Sequence, residues 1–220
     1  MSPRASEETT TRRRLSRERV VAAALRIVDR DGLKGLTMRA LGRELGVDPM
    51  AVYHWVPRKN ALLDLIVEAV FREIPLDAEM PPGGWRKEFG FAASVFRDTL
   101  RRHPNALSVL ATRPGVSPAA MAPAEFAMGI LREAGFSAAD AMYGVSAMSS
   151  LVIGLVLAEV GIEPAWRYED RANLLGQLPA EDFPNIVEAA STVEFDFDRL
   201  FGFGMEALMR GMEPLGSADV

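Results

Sequence analysis

Residues Met38 to Trp55 leave the chain little choice of local structure. Thr37 is a good N-cap, with a hydroxyl able to take a free backbone amide, and it opens a short helix carrying Leu41 and Leu45 on one face. Gly46 can adopt the left-handed backbone that ends such a helix in a tight turn. Asp48-Pro49 then marks a second start, because the aspartate caps free amides and proline at the first helical position gives up only a donor that had no partner. Leu41, Leu45, Val47, Val52 and Trp55 are expected to share one small core, with Gly42 where the two helices approach most closely. These are the steric requirements of a helix-turn-helix, whose second helix lies in the major groove of DNA. An ordinary helical hairpin needs the same apolar spacing and turn glycine, so the pattern alone leaves both open.

The flanking sequence is helical as well. From Ser16, apolar residues recur at Val20, Val21, Ala24, Leu25 and Val28 until Asp31-Gly32 stops them. After Pro57-Arg58-Lys59-Asn60, the series Leu62, Leu63, Ile66, Val67, Val70 and Phe71 describes a longer fourth helix. Pro75, Pro81, Pro82, Gly83 and Gly84 interrupt the periodicity and mark a domain boundary. Beyond it, helices are expected near 85–102, 104–112, 118–134, 138–160, 183–192 and 194–212, with no convincing strand and no internal repeat. The expected fold class is all-α: a flexible basic arm over 1–15, a three-helix helix-turn-helix domain over 16–72, and a larger helical domain over 85–213.

Charge divides along the same line. Residues 1–60 hold 13 Lys+Arg against 7 Asp+Glu, while residues 61–220 hold 12 against 23. A basic piece joined to an acidic remainder suggests that only the first meets a polyanion, although such runs are commonly just solvated faces. There are no cysteines and only two histidines, His54 and His103, which sets aside disulfides, thiolate metal sites and zinc chemistry, and no cofactor is called for. No Gly-rich phosphate loop, serine elbow or metal cluster is present, so an enzyme is not expected. The segment Ala141 to Ala158 is uncharged and sits at the lower edge of membrane-spanning length. Its acidic flanks, Asp140 and Glu159, and its serines Ser146, Ser149 and Ser150 favour a buried helix of a soluble protein. With no apolar run after Arg12-Arg13-Arg14, the chain is expected to stay in the cytoplasm, away from membranes.

The run Leu45-Gly46-Val47-Asp48-Pro49-Met50-Ala51-Val52-Tyr53-His54-Trp55-Val56-Pro57-Arg58-Lys59-Asn60-Ala61-Leu62-Leu63-Asp64 resembles the signature of the TetR family of repressors. The resemblance spans roughly residues 16–72 in register and continues more faintly at Trp85, His103-Pro104 and Phe201-Gly202-Phe203-Gly204-Met205-Glu206. It implies a homodimer that binds a double-stranded DNA operator and is released by a small-molecule effector. It also implies that the third helix, from Asp48-Pro49, presents Met50, Ala51, Tyr53 and His54 to the major groove. Physical chemistry then assigns roles: Tyr53 and Lys59 to phosphates, Thr37 to phosphate through its hydroxyl and helix N-terminus, and Arg39 to bidentate reading of guanine. Pro49, Met50 and Ala51 offer apolar contact suited mainly to thymine methyls, Arg12, Arg13 and Arg14 are either backbone or minor-groove contacts or a solvated tail, and Trp55 is assigned to the core.

In the acidic part, Trp85, Phe89, Phe96, Met121, Phe126, Met128, Met142, Met148, Trp166 and Tyr168 form a pool of large or adaptable side chains from which a largely apolar ligand pocket can be built; the same residues serve equally as core. Small side chains at Ser146, Ser150, Gly154 and Ala158, four apart in line with Met142, allow two helices to approach closely. Phe197, Phe201, Met205, Leu208 and Met212 give the last helix a wide apolar stripe. Together they suit a four-helix dimer seam, with packing inside one subunit the alternative. A DNA-binding regulator with no small-molecule effector, acting constitutively or through a protein partner, is the rival to the ligand-released repressor.

Overall fold

A computed structural model describes residues 15–113, 115–160, 173–192 and 196–216. The arm over 1–14, with Arg12, Arg13 and Arg14, and the pocket candidates Trp166 and Tyr168 lie outside the described residues. The described residues form helices and turns, with no strand. In chain order the helices are α1 (Arg17–Gly35), α2 (Met38–Leu45), α3 (Pro49–Trp55), α4 (Lys59–Arg72), α5 (Trp85–Arg102), α6 (Leu107–Leu110, after a 3-10 turn at Pro104–Ala106), α7 (Pro118–Glu133), α8 (Ala138–Val160), α9 (Pro184–Thr192) and α10 (Phe197–Gly216). They group into two compact units, Met1–Ile66 and Val67–Val220. The division falls inside α4, ahead of the proline- and glycine-rich stretch at 75–84, because Val67 and Phe71 on the later turns of α4 lie against Gly115 in the second unit.

The first unit holds α1, the short α2 and α3, and the opening turns of α4. Ser16 caps α1 by accepting a hydrogen bond from the Arg19 amide at 3.3 Å, and Gly32, at φ 69 and ψ 176, interrupts the helical backbone where Asp31-Gly32 predicts a stop. Val20, Ala23, Ala24, Ile27 and Val28 of α1 are buried together with Leu36, Leu41, Val52 and Val56. Outside this core, Arg26 and Arg30 of α1 both reach Glu44 of α2, at 3.2 and 3.3 Å. Hydrogen bonds first from Arg26 and then from Arg30 hold the Glu44 carboxyl below the usual carboxylate range. A carboxyl lowered on folding stabilises the folded form at neutral pH, and that contribution fades as pH falls through the lowered value.

In the second unit α8 is the central element, packed by α5, α7 and α10. Ala141, Gly144, Val145, Met148, Val152, Leu155 and Val156 are buried along its inward faces. By length and composition α8 is the one described helix that passes the test for crossing a membrane, with mean hydropathy 1.8. Its apolar character is accounted for by packing on three neighbours and by an outward stripe described below. Arg97 of α5, itself buried, donates to Glu159 at the end of α8 at 3.0 Å and to Asp198 at the start of α10 at 2.7 Å. Its guanidinium also lies 4.8 Å from the centre of the Phe201 ring. One cation therefore ties three helices together. α9, by contrast, buries none of its residues within the chain.

Candidate nucleic-acid interface and ligand cavity

The reading head forms as its local sequence requires. Thr37 Oγ1 accepts from the Ala40 amide at 3.1 Å, starting α2, and Gly46 adopts the left-handed conformation at φ 67 and ψ 34 that ends it. Asp48 Oδ1 accepts from the Met50 amide at 2.7 Å, and Pro49 occupies the first turn of α3. Gly42 is obligatory for a different reason: a Cβ there would stand 2.9 Å from the Val47 carbonyl oxygen and 3.1 Å from the Pro49 ring. The two helices meet at van der Waals distance only because that side chain is missing.

With Val52 of α3 and its C-cap Val56 taking the inward positions, one turn apart, the other face is left outside. Met50 is 72% and Tyr53 42% exposed, and His54 is exposed beside them. Ala51 and Pro49 are half-buried, whereas Thr37, Arg39, Asp48 and Lys59 are exposed. Trp55 departs from its expected place in the core: it is 38% exposed, with the His54 ring set edge-on at 5.6 Å. A seven-residue helix has one inward face, and the two valines occupy it. The side chains of Arg39, Arg58 and Lys59 make no hydrogen bond or ion pair among the described residues. A shallow concavity at the turn, lined by Thr37, Arg39, Arg43, Gly46, Asp48 and Pro49 among others, brings in Arg43, which sequence reasoning missed although it lies four residues after Arg39, on the same helix face. The arrangement offers apolar and aromatic groups in the centre, cations around them, and a polarised helix N-terminus at Thr37.

The second unit encloses a cavity of about 150 Å³. Phe71 on the last turn of α4 and Ile74, Pro75, Leu76 and Met80 beyond it form one wall; Phe91, Val95 and Phe96 of α5, Ala120, Met121, Pro123, Ala124, Phe126 and Ala127 of α7, and Val145, Met148, Ser149 and Ile153 of α8 form the rest. Phe71 and Phe96 stack with ring centres 5.9 Å apart. From the candidate pool the structure thus brings Phe96, Met121, Phe126 and Met148 to the cavity. It places the others elsewhere. Trp85 packs edge-on against Phe136 at 5.0 Å, Phe89 is fully buried away from the wall, Met128 is half-buried outside it, and Met142 is exposed. Met142 precedes Met148 by six residues, a rotation of about 240° around the helix, which carries it to the outer surface.

That outer surface holds the small-residue stripe. Ser146, Ser150, Gly154 and Ala158 are all exposed, alongside Met142 and Tyr143. On α10 the expected stripe turns the other way: Met205 is 3% exposed and Met209 and Met212 are buried within the chain, Phe201 lies under Arg97, and Phe197 and Leu208 are half-buried. Met205 is therefore withdrawn as an interface residue, because it faces its own subunit's core. The large apolar side chains that α10 does present outward are Phe203, at 73% exposure, and Leu215 near its end, at 44%.

Known proteins share this arrangement. The family profile described as "Tetracyclin repressor-like, C-terminal domain" matches residues 78–215. An HTH-type transcriptional regulator of Saccharopolyspora erythraea is 33% identical over 215 residues, covering 95% of this chain and 89% of its own. The class D tetracycline repressor protein of Escherichia coli is 34% identical over 206 residues, covering 91% and 90%. Among solved structures, the Streptomyces coelicolor TetR family protein ActR in complex with actinorhodin superposes with a TM-score of 0.81 at 30% identity, covering 94% of this chain and all of that one. With an all-helical fold, a helix-turn-helix near its N-terminus and relatives matched over nearly the full length, the chain belongs to the TetR family of transcriptional regulators.

Proposed function

We propose that the chain is a homodimeric repressor that holds an operator through α3 and releases it when a small molecule occupies the cavity, acting in the cytoplasm by binding alone and without catalysis. The observation that carries this reading is the construction of the cavity: its wall begins with Phe71, on the last turn of α4, a helix whose first residue follows the reading head with only Val56, Pro57 and Arg58 between. A ligand that prefers a displaced α4 shifts the spacing of the two reading heads, which must sit about 34–36 Å apart to enter successive major grooves. Relatives named as repressors, and the complex of ActR with actinorhodin, support repression and a small-molecule ligand. The tetracycline in the relatives' names does not carry over with them, since one serine hydroxyl is the sole polar side chain in the cavity lining among the described residues.

The dimer seam we assign to the outward faces of α8 and α10, with Ser146, Ser150, Gly154 and Ala158 beside Tyr143 and Phe203. Small residues allow close helix approach, and an exposed phenylalanine and tyrosine gain most from being covered. The direct test is titration of the operator-bound protein with candidate small molecules, followed by fluorescence anisotropy of the DNA. Release by a molecule that occupies the cavity is expected; occupancy with unchanged operator affinity supports a constitutive or partner-driven regulator.

Two substitutions separate the contacts within the reading head. Arg39→Ala is expected to cost about 1–3 kcal/mol on the selected operator and little on random duplex, because a bidentate base contact is lost. Lys59→Ala is expected to weaken both equally and to reduce the salt slope of binding by about one ion. Equal losses on both DNAs for Arg39→Ala refute its reading role.

A further inference from the structure

We propose that the cavity accepts an uncharged, mainly hydrocarbon ring ligand carrying one hydrogen-bonding group, seated against Ser149, and that it rejects organic ions and metal chelates of the same shape. The inference rests on reading the cavity as the effector site. Among the described residues the lining contains no Asp, Glu, His, Lys or Arg. An ion entering it leaves water for a place with no counter-charge and almost no hydrogen-bond partner, which strongly opposes binding. Metal chelation has no support either, since no group of three or more His, Cys, Asp or Glu that could hold a metal occurs among the described residues.

Ser149 stands out against this background. It is the one polar side chain of the wall, and no hydrogen bond engages its hydroxyl among the described residues. A hydroxyl both gives and takes a hydrogen bond, so a phenol, ketone or amide group on an otherwise apolar ring meets it. The stacked pair Phe71 and Phe96 offers a flat surface for that ring, and Met80, Met121 and Met148 supply adaptable, polarisable contacts around it. About 150 Å³ is the size of an apolar cavity that stays dry and takes up a benzene-sized molecule. The preferred ligand therefore starts from a single ring, and larger ones follow where the methionines change rotamer.

The test uses the full chain free of DNA and three probes of one shape: 4-ethylphenol, ethylbenzene and 4-ethylbenzoate, followed by calorimetry and ligand-observed NMR. The phenol and the hydrocarbon are expected to bind, the benzoate at least ~100-fold more weakly. Ser149→Ala is expected to weaken the phenol ~5-fold and leave ethylbenzene within about twofold. Ala124→Trp, which fills the cavity, abolishes both while far-UV circular dichroism stays helical; should that variant unfold, the Ser149→Ala comparison decides alone. Benzoate binding as tightly as the phenol, a requirement for added Mg²⁺, equal loss of both neutral probes in Ser149→Ala, or no binding of any probe overturns the proposal. Because binding is read on the free protein, probes that bind in the stated order without releasing operator leave this inference standing and count only against the repressor mechanism.

Discussion

Phe203→Glu, combined with Ser150→Glu, is expected to split the dimer and reduce operator affinity at least ~100-fold, the factor lost when two linked binding events become independent. Both residues are exposed in the single chain, so their replacement removes nothing from the subunit's own core. In a two-fold symmetric interface each added carboxylate recurs on the partner's matching surface, so that like charges are brought close and desolvated together. Sedimentation should show a monomer at micromolar concentration, with helical content retained. A variant that stays dimeric with unchanged operator affinity would move the seam elsewhere, and α9, which buries nothing within the chain, would be the next surface to probe.

Arg97→Ala is expected to lower the stability of the second unit by about 3 kcal/mol, toward the lower end of the cost of breaking a buried ion pair. Two features set that position in the range. Glu159, also shielded, keeps Arg101 at 2.9 Å after the substitution, and Asp198 is largely exposed and can return to water. What disappears is the link among α5, α8 and α10, together with the stacking of the guanidinium on Phe201. For a unit of this size the thermal midpoint should fall by about 6–12 °C. Arg97→Met is expected to cost less than half as much. It keeps the packing volume and removes a guanidinium whose Nε is buried without a hydrogen bond. Thermal and urea denaturation of the two variants settle the matter, and equal losses would show that the ion pairs, removed in both variants, outweigh the packing of the side chain. Since Arg97 anchors the ends of α8 and α10, the helices to which we assign the dimer seam, the alanine variant should also weaken the proposed dimer.

The reading head was legible in the sequence because each of its requirements is local. A cap at Thr37, a left-handed glycine at Gly46, Asp48-Pro49 and the missing side chain at Gly42 each act within a few residues of where they stand. Trp55 is the instructive exception. It is expected in the core with its neighbours, but the inward positions here are decided by angular spacing, and Val52 and the C-cap Val56 hold them. The all-helical fold and most helix positions in the second unit followed from apolar periodicity and from breakers such as Pro104 and Gly135.

Periodicity could not say which apolar face meets what. Phe89 and Phe96 lie on one side of α5, yet only Phe96 borders the cavity, because an empty space is a property of several helices at once. Met205 and Phe203 are two residues apart on α10; the first is buried and the second exposed. Met80, Leu76 and Ile74 were hidden for another reason. They sit at the edge of or within a stretch whose prolines and glycines mark a boundary, and the same backbone irregularity lets the chain fold over the cavity as part of its wall.

We propose that two copies of α3 read base edges in successive major grooves. Selection of binding sites from random duplex DNA by the purified protein tests it most directly. The expected product is a near-palindrome whose half-site centres lie one helical turn apart, about 34–36 Å, with affinity that falls steeply as salt rises. Recovery of no enriched sequence, or of a single unpaired half-site bound with salt-independent affinity, would contradict it.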